Sequence, residues 1–181
     1  MPTTQTWTGA VDGTFTTAGN WLSGTAPVGG DSVIFDRGNV SVTAGLSPAI
    51  AIATFTVKET YGGSIGGATL LTLTSITTLN YAGRGAYCKL GGTVTTAKID
   101  LRAGNTFVFG SGTWTNVYVT GASGGMAQVT GATITNLYNV SSGVFIEANT
   151  GTTFTLVENR GQLKTARDVA TYNGFPVQNV E

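Results

Sequence analysis

The feature that most constrains the fold of this chain is an internal repeat with a period of about 20 residues. Four segments share a Thr-apolar-Thr pattern and start at residues 93, 113, 133 and 153. Threonine makes up 33 of the 181 residues, but it occupies the first and third positions of all four segments, eight positions in total. Composition alone therefore does not produce the pattern. The segments are Thr93-Val-Thr-Thr-Ala97, Thr113-Trp-Thr-Asn-Val117, Thr133-Ile-Thr-Asn-Leu137 and Thr153-Phe-Thr-Leu-Val157.

Two looser copies precede the four regular ones. Ser75-Ile-Thr-Thr-Leu79 and Thr54-Phe-Thr-Val57 continue the series toward the N-terminus, with a less regular spacing. A helix-free unit of this length is typical of one coil of a parallel β-helix, because a leucine-rich repeat needs a Leu and Asn framework that is absent here. We therefore predict an all-β fold, a right-handed single-stranded parallel β-helix (β-solenoid) of about six coils of about 20 residues.

Each coil is expected to contain two strands. In the first strand the two threonines share the outer face and the apolar residue between them points inward, as Trp114 and Ile134 do. The next apolar position lies three residues further on, which is the wrong parity for one flat strand, so we expect a bend or bulge between them. The second strands are predicted at Thr106–Phe109, Met126–Val129 and Val144–Glu147. Stacked at ~4.8 Å per coil, the rod is about 30 Å long.

The chain is expected to divide into residues 1–36 as an N-terminal cap, 37–160 as the coils, and 161–181 as an irregular C-terminal cap or arm. The first segment contains Trp7-Thr-Gly9, Asn20-Trp21, Pro27 and Gly30-Asp-Ser-Val-Ile-Phe35. Over about residues 6–36 this pattern resembles the entry segment of autotransporter-passenger-type β-helices, which implies that the tryptophans seal the solenoid. The chain departs from those proteins in its short length and in lacking a signal-peptide pattern and a translocator barrel. Residues 161–181 either cap the stack or dock on a neighbouring subunit.

The charge content argues against several classes of partner. Only 10% of the residues are charged, well below the roughly 25% that is usual, and nine basic residues balance nine acidic ones. Without a basic patch, nucleic-acid binding is not expected. The most apolar stretch, residues 48–57, is far shorter than the ~20 residues of a membrane span, so no membrane is expected either. A surface with so little charge favours a component of an assembly.

The sequence offers little catalytic chemistry. It has no histidine, and its single cysteine, Cys88, is predicted to be a small buried hydrophobic residue. Glu147 is expected to stack on Arg167 as an ion pair, with Asp168 as the nearest acid one coil away, rather than to belong to a carboxylate cluster. We read Gly83-Arg-Gly85 and Gly110-Ser-Gly112 as turns. We therefore predict no enzyme activity, no catalytic, metal or cofactor-binding residues, and no cofactor.

A short, Thr- and Gly-rich β-helix without an export signal resembles the structural proteins of tailed phages, in particular head decoration (cement) proteins and small fibres. The resemblance implies a capsid decoration protein that stabilises the head through subunit contacts. Such a protein would be made in the host cytoplasm, would be located on the virion capsid surface, and would bind itself as a homotrimer and the major capsid protein. The alternative is an adhesive fibre or a receptor- or glycan-binding module that uses exposed aromatic side chains. A minimal polysaccharide-degrading β-helix is the third and least supported hypothesis.

Overall fold

In the computed structural model, which describes residues 1–165 and 171–172, the chain winds into a 13-stranded sheet of stacked parallel coils. The predicted parallel β-helix is confirmed, with about seven coils rather than six. One short 3-10 helix, Ala18–Asn20, is the only helix in these residues. The strands are β1 (Thr4–Thr6), β2 (Ser32–Phe35), β3 (Ala51–Val57), β4 (Leu71–Tyr81), β5 (Tyr87–Leu101), β6 (Thr106–Phe109), β7 (Gly112–Gly121), β8 (Met126–Val129), β9 (Ala132–Asn139), β10 (Phe145–Ala148), β11 (Thr153–Asn159), β12 (Gln162–Thr165) and β13 (Thr171–Tyr172).

The strands form two parallel ladders, which we call the first and second ladders. The first runs β1-β2-β3-β4-β5-β7-β9-β11-β13, and the second runs from β5 through β6, β8 and β10 to β12. Strand β5 is long enough to serve both, because Tyr87 to Leu90 pair with β6 while Val94 to Leu101 pair with β7. Two of the predicted second strands have the expected bounds, and the third is Phe145–Ala148, one residue later than expected.

The register of the first ladder confirms the repeat. Thr133 pairs with Thr113 on one side and with Thr153 on the other, so equivalent positions of successive coils lie directly on one another. The apolar residues between the threonines form a buried column along the rod axis, as predicted for Trp114 and Ile134. This column consists of Ile52, Ile76, Val94, Trp114, Ile134 and Phe154.

The predicted bend is present in each regular coil. Trp114 and Val117 are both buried although they are three residues apart, while Thr115 and Asn116 between them are both half-buried. Two successive outward residues mark a corner where the chain turns and both flanking side chains reach the core. The shared bend lets coils of identical length stack without a change in register.

One predicted alignment is wrong. Ser75 pairs with Ala51, and Thr54 pairs with Thr78, so the earliest copy is displaced by three residues from the alignment expected from the Thr-Phe-Thr pattern. The equivalent of Ser75-Ile-Thr is Ala51-Ile-Ala, which carries no threonine to reveal it. The loop between β3 and β4 is also longer than those of the later coils, which removes the constant spacing as a guide.

Aromatic side chains fill the core at the N-terminal end. Trp7 and Trp21 meet edge to face with centroids 5.2 Å apart, and Phe15 contacts Trp21 at 5.1 Å. The buried Asn20 organises the preceding loop, since its Oδ1 accepts hydrogen bonds from the backbone N–H of residues 11 and 12, at 2.8 and 3.0 Å. Phe35 lies 5.7 Å from Trp7 and 5.4 Å from Phe55 of β3, which joins this cluster to the core of the coils. Residues 1–36 thus contribute both β1 and β2 and an aromatic layer over the first coil.

Candidate functional site

The three ion pairs among the described residues are isolated from one another and lie on the surface. Asp36 accepts a hydrogen bond from Lys58 at 3.0 Å, and Glu59 pairs with Arg102. Pairs this exposed contribute little to stability. No group of three or more potential metal-ligand side chains occurs within residues 1–165 and 171–172.

Among the described residues, Glu147 pairs with Lys164. Lys164 Nζ lies 3.4 Å from its carboxylate, and Gln128 donates a hydrogen bond to it at 3.1 Å. The predicted partner Arg167 and the nearby acid Asp168 both lie outside the described residues. The Lys164 ammonium balances the charge of the Glu147 carboxylate at the surface. Neither of these contacts places a second carboxylate beside Glu147.

Three aspartates are held in the ionised form. The hydrogen bond from Lys58 lowers the pKa of Asp36, and the bond from the Thr14 backbone N–H lowers the pKa of Asp12. Burial raises the pKa of Asp31, but the hydrogen bonds that it accepts from Val28 and Thr3 outweigh burial and lower the pKa overall. A carboxyl group with a lowered pKa is ionised at neutral pH and has no proton to donate as a general acid.

The reactive groups of the core are buried. Cys88 is fully buried, as predicted, and burial raises the pKa of its thiol well above the usual value. Burial also raises the pKa of the Tyr61 and Tyr81 hydroxyls, and the Tyr61 hydroxyl donates a 2.6 Å hydrogen bond to the carbonyl of Val40. A neutral thiol without solvent access is a poor nucleophile, so these groups act as packing residues.

The first candidate binding surface is the outer side of the first ladder before the bend. Its eight threonines are exposed or half-buried and carry no charge, and the parallel register places them in straight columns. Beside them the amide of Asn136 donates a 2.9 Å hydrogen bond to Asn116, which continues the uncharged surface. We call this surface the threonine face, and it consists of Thr93, Thr95, Thr113, Thr115, Thr133, Thr135, Thr153 and Thr155.

The second candidate surface is a groove of about 740 Å³ on the outer side of the first ladder after the bend. Asn80, Lys98 and Tyr118 lie at equivalent positions of three successive coils. Two residues further along the chain are Ala82, just after the end of β4, and Asp100, which pairs with Thr120. We call it the tyrosine groove, and it is lined by Asp36, Thr56, Val57, Lys58, Glu59, Thr60, Asn80, Tyr81, Ala82, Lys98, Ile99, Asp100, Tyr118 and Thr120.

Tyr118 and Tyr138 are the most prominent side chains beside this groove. Their rings stack with centroids 5.0 Å apart and planes 14° apart, and Tyr118 is 40% exposed. Neither tyrosine is singled out from the sequence, where exposed aromatic side chains are considered only in general. A signal for them exists, because each tyrosine follows a Thr-Asn-apolar segment and the two occupy the same position of successive repeats.

Comparison with known proteins does not assign a function to either surface. No protein-family model, curated protein or solved structure matches this chain. Among the described residues, no helix combines the length and the apolar character that a membrane span needs. What the protein binds must therefore be inferred from the threonine face and the tyrosine groove themselves.

Proposed function

We propose that this chain is a non-enzymatic structural protein of a phage virion, a decoration (cement) protein that docks on the capsid and stabilises the head. The observation that supports this proposal is the threonine face. Covering neutral hydroxyl and amide groups with another protein costs less free energy than covering charges, which must be stripped of water and paired. The branched side chains of threonine are also stiff, so that little freedom is lost when they are covered.

The solenoid suits such a role mechanically. Each coil is joined to its neighbours by parallel strand pairing, and the core column runs through them without interruption from Ile52 to Phe154. We propose that three copies associate, so that three threonine faces contact the major capsid protein together. A face of a few strands is small, and linking several equal contacts raises the overall affinity without any new interaction.

The test is co-sedimentation of the purified protein with phage heads that lack it, together with its mass in solution by light scattering. We expect a trimer that sediments with the heads, and we expect Thr133→Lys to lose head binding because it places a charge within the face. The matched control is Thr130→Lys, which changes an exposed threonine outside the face. Failure of the unchanged protein to bind heads, or equal binding by both variants, would refute the proposal.

A second candidate function, an adhesive or glycan-binding module, is favoured by the tyrosine groove. Exposed, stacked aromatic rings beside polar side chains are more typical of a ligand-binding surface than of a solvated strand face. This candidate differs from the first in the surface that it uses, so that variants of one surface leave the other intact.

A further inference from the structure

The tyrosine groove exists because one outward position carries a small side chain. Asp100 pairs with Thr120 of the next coil. Lys58, Ala82 and Asp100 each directly follow one of the paired residues Val57, Tyr81 and Ile99, and therefore lie at corresponding positions of three successive coils. Ala82 is the smallest of them and lies between two longer side chains, so the surface is depressed at its coil. The volume of about 740 Å³ falls within the range of small-molecule sites, roughly 300–1,000 Å³.

One wall of the groove is the face of an aromatic ring. Tyr138 covers the side of the Tyr118 ring that points toward the C-terminal coils, because the two rings stack in nearly parallel planes. The other lining residues belong to the same coil as Tyr118 or to earlier coils, on the opposite side of its ring. The uncovered face of Tyr118 therefore points into the groove, where an apolar ring face of a ligand can pack on it.

The polar side chains of the groove have unused hydrogen-bonding capacity. Among the described residues, Asn80 and Lys98 have no side-chain hydrogen bond or ion pair, and Asp100 accepts only a long bond of 3.4 Å from Thr120. Together they offer an amide, an ammonium and a carboxylate, and thus both donors and acceptors. A ligand rich in hydroxyl groups, each of which donates and accepts, matches this set.

The charges of the groove cancel. Asp36 pairs with Lys58, and Glu59 pairs with Arg102 at its margin. Lys98 and Asp100 contribute one positive and one negative charge, so the groove has no net charge to attract a polyanion or a polycation. An uncharged ligand is therefore favoured over an acidic polysaccharide.

The position of the groove also argues against a peptide strand as its occupant. Peptides that add to sheets bind through unpaired backbone groups at a sheet edge. The groove lies on the face of the first ladder, where strands β3, β4, β5 and β7 are paired in succession. Only side chains are available for recognition there.

We propose that the tyrosine groove binds a neutral oligosaccharide, with one sugar ring packed on Tyr118 and its hydroxyl groups bound by Asn80, Lys98 and Asp100. The chain would run along the rod, across successive coils. The proposal deepens the adhesive candidate and rests on it, and it does not depend on capsid binding through the threonine face.

The experiment is calorimetric titration of the full chain with neutral hexasaccharides of the glucan, mannan and chitin series, and with a hexagalacturonate as the acidic comparison. We expect at least one neutral series to bind and the hexagalacturonate not to bind. Tyr118→Ala and Ala82→Gln should each weaken binding about tenfold or more, since one removes the ring and the other fills the depression. Tyr118→Phe should retain binding, because it keeps the ring face.

The matched control is Tyr87→Ala, which removes a half-buried tyrosine outside the groove whose ring is covered by Lys89 at 4.7 Å. Melting curves of all variants establish that they are folded. Absence of binding to every neutral series, binding of the acidic hexamer alone, or equal affinity of Tyr118→Ala and the unchanged protein would overturn the proposal. Co-sedimentation of the unchanged protein with heads separates the two functions: if the unchanged protein binds heads but no neutral hexasaccharide, the groove proposal alone fails.

Discussion

Replacing Ile134 by alanine should destabilise the solenoid strongly. The Ile134 side chain is fully buried between Trp114 and Phe154, its counterparts in the two adjacent coils. The change removes three carbon atoms, which is about 2.4 kcal/mol of lost apolar burial at ~0.8 kcal/mol per carbon. A cavity adds to this loss, and the coils cannot close it because strand pairing fixes their separation. We therefore expect a loss of about 4 kcal/mol, in the upper half of the usual range for such substitutions.

The measurement is urea unfolding followed by circular dichroism, with the melting temperature as a second readout. For a domain of this size the expected loss lowers the melting temperature by about 10 °C. The control is Thr133→Ala on the same strand, whose side chain points outward and whose loss should change stability by less than about 0.5 kcal/mol. Ile134→Asp should prevent folding, because it buries an unpaired charge. If Ile134→Ala were as stable as Thr133→Ala, the inward assignment of this column would be refuted.

Three further predictions concern buried polar groups. Asn139→Ala should cost about 1–3 kcal/mol in urea unfolding, because it removes the 2.7 Å hydrogen bond that Asn139 Nδ2 donates to the buried Asn159 Oδ1, which then accepts only the longer 3.3 Å bond from the Gly161 N–H; unchanged stability would contradict this. Asp31 has a lowered pKa in the folded chain, so its contribution to stability is complete above its unfolded pKa of about 3.9 and is lost as the pH falls through the lower folded value. Melting temperatures of the unchanged protein and of Asp31→Asn should therefore differ most near neutral pH and converge in acid, and a constant difference would contradict the assignment. The Cys88 thiol should react with a disulfide reagent at pH 8 only as fast as the protein opens, whereas immediate reaction without denaturant would show that it is accessible.

The regular half of the solenoid could be predicted from the sequence because its coils have equal length. With a constant spacing between repeats, the inward positions of Trp114 and Ile134 follow from strand alternation, and the bend follows from the three-residue step to Val117. Cys88 could be assigned to the core from its residue type alone. In this region the alternation within each strand and the constant spacing between coils assign the same residues to the core.

The earlier coils and the groove could not be predicted in the same way. The strand register of Thr54 depends on the length of the loop between β3 and β4. No local sequence pattern predicts that length. The groove depends on a small residue, Ala82, being flanked in space by Lys58 and Asp100, each of which lies a whole coil away along the chain. Asn139 and Asn159 occupy inward positions that a hydrophobic pattern assigns to apolar residues, and their mutual hydrogen bond explains why they are tolerated there.

The constant register of β5, β7, β9 and β11 makes the length of this protein adjustable in whole units. Removal of residues 113–132 would bring Ile134 onto Val94 and Leu137 onto Ala97, with every strand bond re-formed by an equivalent group. Tyr138 would then take the place of Tyr118 beside Lys98. Duplication of the same segment would lengthen the rod by one coil, or ~4.8 Å. Insertion or deletion of one whole repeat in the gene can therefore change the length of the rod by one coil while the fold stays the same.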